Sequence, residues 1–149
     1  MASTTQPAAT ARGIISEVRD SIVVFEPSGT NYRLHLKVAD NPGRRPVASE
    51  RPVRGIIRVQ ARKLWTVPSG GNFIVPIFGP PRTIQGRVKA VEQGTLVVHA
   101  GTTFVVEMPK EDWAIDLTHG PIQVGAIVNV AALPGATFEL AGSVPGSGN

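Results

Sequence analysis

Positive charge is concentrated in one stretch of this 149-residue sequence. Arg44, Arg45, Arg51, Arg54, Arg58, Arg62 and Lys63 meet a single acidic residue, Glu50, between positions 44 and 63. Read as a strand, residues 53–61 put Arg54, Arg58 and Arg62 on one face with Ile56 and Gln60, and Gly55, Ile57, Val59 and Ala61 on the other. Residues four apart on a strand are separated by about 13 Å. Cations at that spacing can engage successive or alternate phosphates of an extended nucleic-acid strand, with counterion release as the driving force. Arginine also forks onto phosphate or carboxylate. A second polar stripe, Arg33, His35 and Lys37, alternates with Tyr32, Leu34, Leu36 and Val38. Trp65 stands beside Arg62 and Lys63, where its ring could stack a base for about 1–3 kcal/mol or, alternatively, cover the end of a barrel. The residues expected to bind a polyanion are therefore Arg33, Lys37, Arg44, Arg45, Arg54, Arg58, Arg62, Lys63 and Trp65. Two other readings use the same residues: arginines that keep exposed strands soluble and protect their edges, or an interface with acids on a partner protein or sister subunit.

Catalytic and metal-ligating patterns are weak. His35, His99 and His119 are far apart and share no ligand spacing. The chain has no cysteine, which excludes disulfides, thiol chemistry and cysteine-ligated metals. Neither a phosphate-binding loop ending in Lys-Ser/Thr nor a nucleophile elbow occurs, and Gly70-Gly71 is a turn signal. Glu111, Asp112 and Asp116 suit the start of a short helix, where acids serve the dipole and solvent. The expectation is a non-enzyme without catalytic residues, metal site or cofactor.

The elements that must carry these residues are strands. Hydrophobic residues make up 42% and charged residues 17%, which excludes wholesale disorder. Sixteen glycines and 13 prolines favour many turns and short strands. Strand-like runs cover residues 13–18, 21–26, 32–38, 53–61, 73–78, 83–91, 95–99, 103–108, 127–132 and 137–140. Residues 40–52 read as a Pro/Arg-rich connection, and 109–117 as the one short helix. Residues 1–12 and 141–149 read as flexible tails. No apolar run approaches the length of a membrane span, and residues 1–12 lack the apolar core of a signal peptide, so cytoplasmic residence is the default expectation.

The two halves resemble each other. Gly13-Ile14-Ile15-Ser16-Glu17-Val18 matches Gly86-Arg87-Val88-Lys89-Ala90-Val91; Ile22-Val23-Val24 matches Leu96-Val97-Val98; Gly29-Thr30-Asn31-Tyr32 matches Gly101-Thr102-Thr103-Phe104. Val53, Ile56, Ile57, Val59 and Ala61 match Val124, Ile127, Val128, Val130 and Ala132, and His99 falls opposite Phe25, which suggests a packing position. Offsets drift only at turns, as in true repeats. The halves differ in charge: residues 1–81 hold 11 Lys+Arg against 5 Asp+Glu, a net +6, whereas residues 82–149 hold 4 against 6, a net −2. A feature present in one copy alone is a candidate for function.

Three strands, a connection and two more strands in each half resemble the OB-fold. The run GRVKAVEQGTLVVHAGTTFVVEM followed by IQVGAIVNV is also similar to the small barrels of transporter ATPases and molybdate-binding proteins. The resemblance implies an all-β chain of two tandem five-stranded barrels, a basic one over 13–79 and a second over 82–140, joined at Gly79-Pro80-Pro81. One larger barrel or sandwich is the alternative. It also implies that the loop between the fourth and fifth strands, 62–71 in the first copy and 133–136 in the second, closes over a ligand. The function this suggests is non-catalytic binding of nucleic acid or another polyanion. A structural protein that self-associates or docks on a scaffold, and a barrel for a small oxyanion, are the alternatives.

Overall fold

The computed structural model describes residues 9–39 and 45–143. They are all-β, with no α-helix among the described residues. Twelve strands follow in order: β1 (Ala11–Arg19), β2 (Ile22–Pro27), β3 (Arg33–Val38), β4 (Ser49–Val67), β5 (Phe73–Val75), β6 (Phe78–Gly79), β7 (Thr83–Glu92), β8 (Thr95–His99), β9 (Thr103–Glu107), β10 (Ile115–Asp116), β11 (Ile127–Ala132) and β12 (Thr137–Ser143). All belong to one sheet.

Alternation decides which side of each strand is buried. Val23 and Phe25 of β2, Leu34 and Leu36 of β3 and Ile15 of β1 point inward and are essentially inaccessible. The pairing closes on itself. β1 pairs β2, β2 pairs β3, β3 runs parallel to β12, and β12 and β1 both pair the first part of β4. A second circuit runs β7–β8–β9, then the middle and end of β4, then β11 and back to β7. At about 3.3 Å per residue, the 19 residues of β4 extend roughly 60 Å, enough to serve both circuits.

Each half thus supplies strands to the other's circuit. The fifth strand of the first circuit is β12, from the far end of the chain. The segment expected in that place, 73–78, lies elsewhere: β5 pairs β7, and β6 runs parallel to the start of β3. The buried side chains form one contiguous cluster from Ala11 to Phe138. At the joint between β12 and β4, the Phe138 ring lies 5.0 Å from the Phe25 ring and occupies the space a side chain at Gly55 would fill.

The β1–β2 and β7–β8 hairpins share two irregularities at equal spacing. Register shifts fall between Ile15 and Glu17 and between Val88 and Ala90. A Cβ at Gly13 would overlap the carbonyl oxygen of Glu26, and one at Gly86 that of His99. His99 is therefore the counterpart of Glu26 and not of Phe25; it is half-buried, with Nδ1 3.5 Å from the Thr103 hydroxyl. The third strands also align differently from the sequence match. Phe104 faces Val98 as Leu34 faces Phe25, so Phe104 replaces Leu34 and not Tyr32. The cause is a shorter turn, residues 100–102 against residues 28–32.

Three further expectations change. The helix over 109–117 contracts to a 3-10 turn, Asp112–Ala114, because no side chain caps its start and Ile115 turns extended to pair Leu64 of β4. Residues 62–67, expected as a loop, continue β4. A register shift opposite Ala131 and Ala132 leaves both Arg62 and Lys63 facing solvent, after which Leu64 and Thr66 resume the inward positions. Of the expected tails, Ala11, Arg12 and residues 141–143 are in strands, while residues 1–8 and 144–149 lie outside the described residues.

Candidate anion-binding groove

Because Val23, Phe25, Leu34 and Leu36 are inside, the outer face of β2 and β3 presents Ile22, Val24 and Glu26 beside Arg33, His35 and Lys37. Register sets Ile22 opposite Lys37 and Val24 opposite His35. Phe78 arrives on β6, opposite Arg33, with its ring 4.7 Å from the His35 ring in an edge contact. It remains 60% exposed, so an aromatic surface is open to a ligand.

Three hollows adjoin along this face. The largest, about 570 Å³, has Ile22, His35 and Lys37 as floor, Pro80, Pro81 and Arg82 on one side and the turn Ala132 to Ala136 on the other. A second, about 410 Å³, shares Ile22 and His35 with it and adds Ser16, Glu17, Arg19, Val24, Arg33 and Phe78. A third, also about 410 Å³, shares Arg33 and Phe78 with the second and reaches Glu26, Thr30, Asn31, Tyr32 and Ile77. The shared side chains set the three hollows side by side along this face.

Its cations are not equivalent. Arg33 Nε is 3.6 Å from Glu26, and Arg19 is 3.0 Å from Glu17. Lys37 and Arg82 form no ion pair among the described residues. The second half offers no equivalent surface: the outward positions of β9 are Thr103, Val105 and Glu107.

The β4 arginines do not assemble with this groove as one site. Arg58 is held by Glu139 of the neighbouring β12, which takes it out of the set of free cations. Arg54 is half-buried and sits opposite Arg12, a like-charged neighbour that sequence spacing did not reveal. Arg62 is exposed, and Lys63 Nζ lies 5.9 Å from the ring of Trp113, not Trp65. Trp65 is half-buried within β4, opposite Asn129 and Asp116, and is not on a loop free to close over a ligand. Arg45 is exposed ahead of β4, and Arg44 lies outside the described residues. Sequence reasoning overlooked Arg82 and Phe78. The only available signal was their position flanking the Gly79-Pro80-Pro81 break.

Elsewhere, Asp116 accepts hydrogen bonds from the hydroxyl and the backbone N–H of Thr118, which hold its carboxyl below the ordinary 3.8. A carboxyl lowered by folding stabilises the native state at neutral pH. That contribution is lost as pH falls below the ordinary value and through the native one. Thr118→Val will therefore raise the Asp116 pKa toward 3.8, as followed by carboxyl-carbon NMR titration. An unmoved titration curve would show that the hydroxyl is not the cause. Among the described residues, no group of three or more His, Cys, Asp or Glu side chains is placed to hold a metal ion. No helix among them is long and apolar enough to cross a membrane.

Comparison with protein-family models, curated proteins and solved structures finds no match for this chain.

Proposed function

We propose that this chain is a non-catalytic binding module that takes single-stranded nucleic acid along the outer β2–β3 face. The observation that carries the reading is the row of adjoining hollows that places Arg33, Lys37 and Arg82 on one face with the exposed ring of Phe78. Cations neutralise phosphates, and an open ring stacks bases that a duplex would keep paired. The strand order of the first circuit, with β3 parallel to the strand that follows the fourth position, supports an OB-like reading. In such folds the second and third strands form the ligand face. The shared glycines and register shifts support descent of both halves from one duplicated unit, with the fifth strands exchanged between copies.

The test is fluorescence anisotropy with a labelled oligothymidylate and a duplex of equal length across a salt series. With about two phosphates neutralised, by Lys37 and Arg82, the logarithm of affinity should fall with the logarithm of salt at a slope near −1.4, or about 7-fold between 50 and 200 mM. The single strand should bind more tightly than the duplex. Phe78→Ala should weaken the single strand about 5- to 150-fold, from the loss of one stacked base. Affinity indifferent to salt, or no single-strand preference, rejects the reading.

A second reading, self-association, draws on Trp113, which is 72% exposed, and on Leu117, four positions later and also exposed. Light scattering over a dilution series tests it, and a strict monomer at high concentration removes it.

A further inference from the structure

We propose that the cleft at the Lys37 end of the groove holds a terminal phosphate monoester of the bound strand, with the adjoining sugar and base packed against its proline walls. The inference rests on the nucleic-acid reading above and specifies which part of the strand goes where.

Along the groove, Arg19 and Arg33 are already matched by Glu17 and Glu26. Lys37 and Arg82 line the cleft without a carboxylate partner among the described residues. Uncompensated positive charge is thus gathered at one end. An internal phosphodiester carries one negative charge, whereas a monoester carries about 1.5 to 2 at neutral pH. Two unpaired cations match the monoester better. Their chemistry is also complementary: guanidinium can fork onto two phosphate oxygens, while an ammonium acts as a point charge.

At about 570 Å³ the cleft is the largest of the three hollows and has the size of a small-molecule site. Its exposed walls are Pro80 and Pro134, with the buried Pro81 behind them and Ile22 at the base. Prolines present apolar surface that is already conformationally restricted, so a planar base packs against them at little entropic cost. The cleft also holds an unmet hydrogen bond. His35 lies in the floor, and its Nε2 is buried without a hydrogen-bond partner among the described residues. Native proteins satisfy nearly all such atoms.

The experiment compares three oligonucleotides of one sequence, bearing a 5′-phosphate, a 3′-phosphate or hydroxyls at both ends. Binding of a nucleoside monophosphate is measured alongside by calorimetry. The protein is used as the wild type and as the double variant Lys37→Ala with Arg82→Ala. Both side chains are exposed, so the variant should melt with the wild type. One of the phosphorylated strands should bind at least about 10-fold more tightly than the hydroxyl-ended strand, and the variant should erase that advantage. Which phosphorylated strand wins assigns the polarity. If all three bind equally, or the preference survives in the variant, the terminal-phosphate site is wrong and the groove reading stands. If no oligonucleotide binds but the monophosphate binds through Lys37 and Arg82, the groove reading fails and the cleft stands as a phosphate site. Binding of neither removes both.

Discussion

Phe138→Ala will lower stability by about 3–5 kcal/mol, the usual cost of emptying a fully buried phenylalanine site. Phe138 is inaccessible, lies 5.0 Å from Phe25 and covers Gly55. For a chain of this size each kcal/mol lowers the melting temperature by about 2–4 °C. Where the damage appears matters more than its size. Phe138 is on β12, close to the last described residues, yet β12 completes the circuit of β1, β2 and β3. Amide hydrogen exchange should therefore lose protection first in β1–β3, about 100 residues away in sequence, and later in β7–β9. Were β7–β9 to open first, the exchange of fifth strands would be refuted.

Ala at Gly13 or at Gly86 will each cost about 3 kcal/mol, the upper part of the range for overpacking. Besides overlapping a backbone carbonyl, the added methyl at Gly13 would lie 2.7 Å from Phe25 Cζ, and the one at Gly86 would lie 2.8 Å from Ala100 Cβ. Carbonyls engaged in a strand ladder cannot rotate aside as a side chain can. Relief requires the hairpin to splay or slip, and a slip of one residue would turn its inward side chains outward. Gly71→Ala is the control, since nothing lies within 4 Å of its added methyl and its backbone is not left-handed; its effect should stay within about 0.5 kcal/mol. Chemical denaturation of the three variants measures the contrast. Equal, small effects at all three would show that neither close approach constrains its hairpin.

The alternation of Leu34, His35, Leu36 and Lys37 was legible because a strand with one buried face imposes a period of two on local sequence. For the same reason the outward stripe of Arg33, His35 and Lys37 could be read before any fold was known. Trp65 could not be placed this way. A bulge in β4 moves no residue types; it only changes which of them face inward, and Arg62-Lys63 looks like a loop until Leu64 is seen to be buried. Arg58 shows a different limit. Its neutralising partner, Glu139, is 81 positions away, and a charge balance taken over residues 44–63 cannot include it.

Residue order by itself determined an all-β chain, the inward and outward faces of its first three strands, and the charge imbalance between its halves. These depend on neighbours one to four positions apart. The tertiary structure alone decided that β12 completes the first circuit, that β4 serves both, and that Arg82 and Phe78 stand beside Lys37 and His35. Such pairings join segments tens of residues apart. Hydrogen bonds of the strand ladder are chemically alike at every position, so the choice of partner follows from how the whole apolar surface is buried at once.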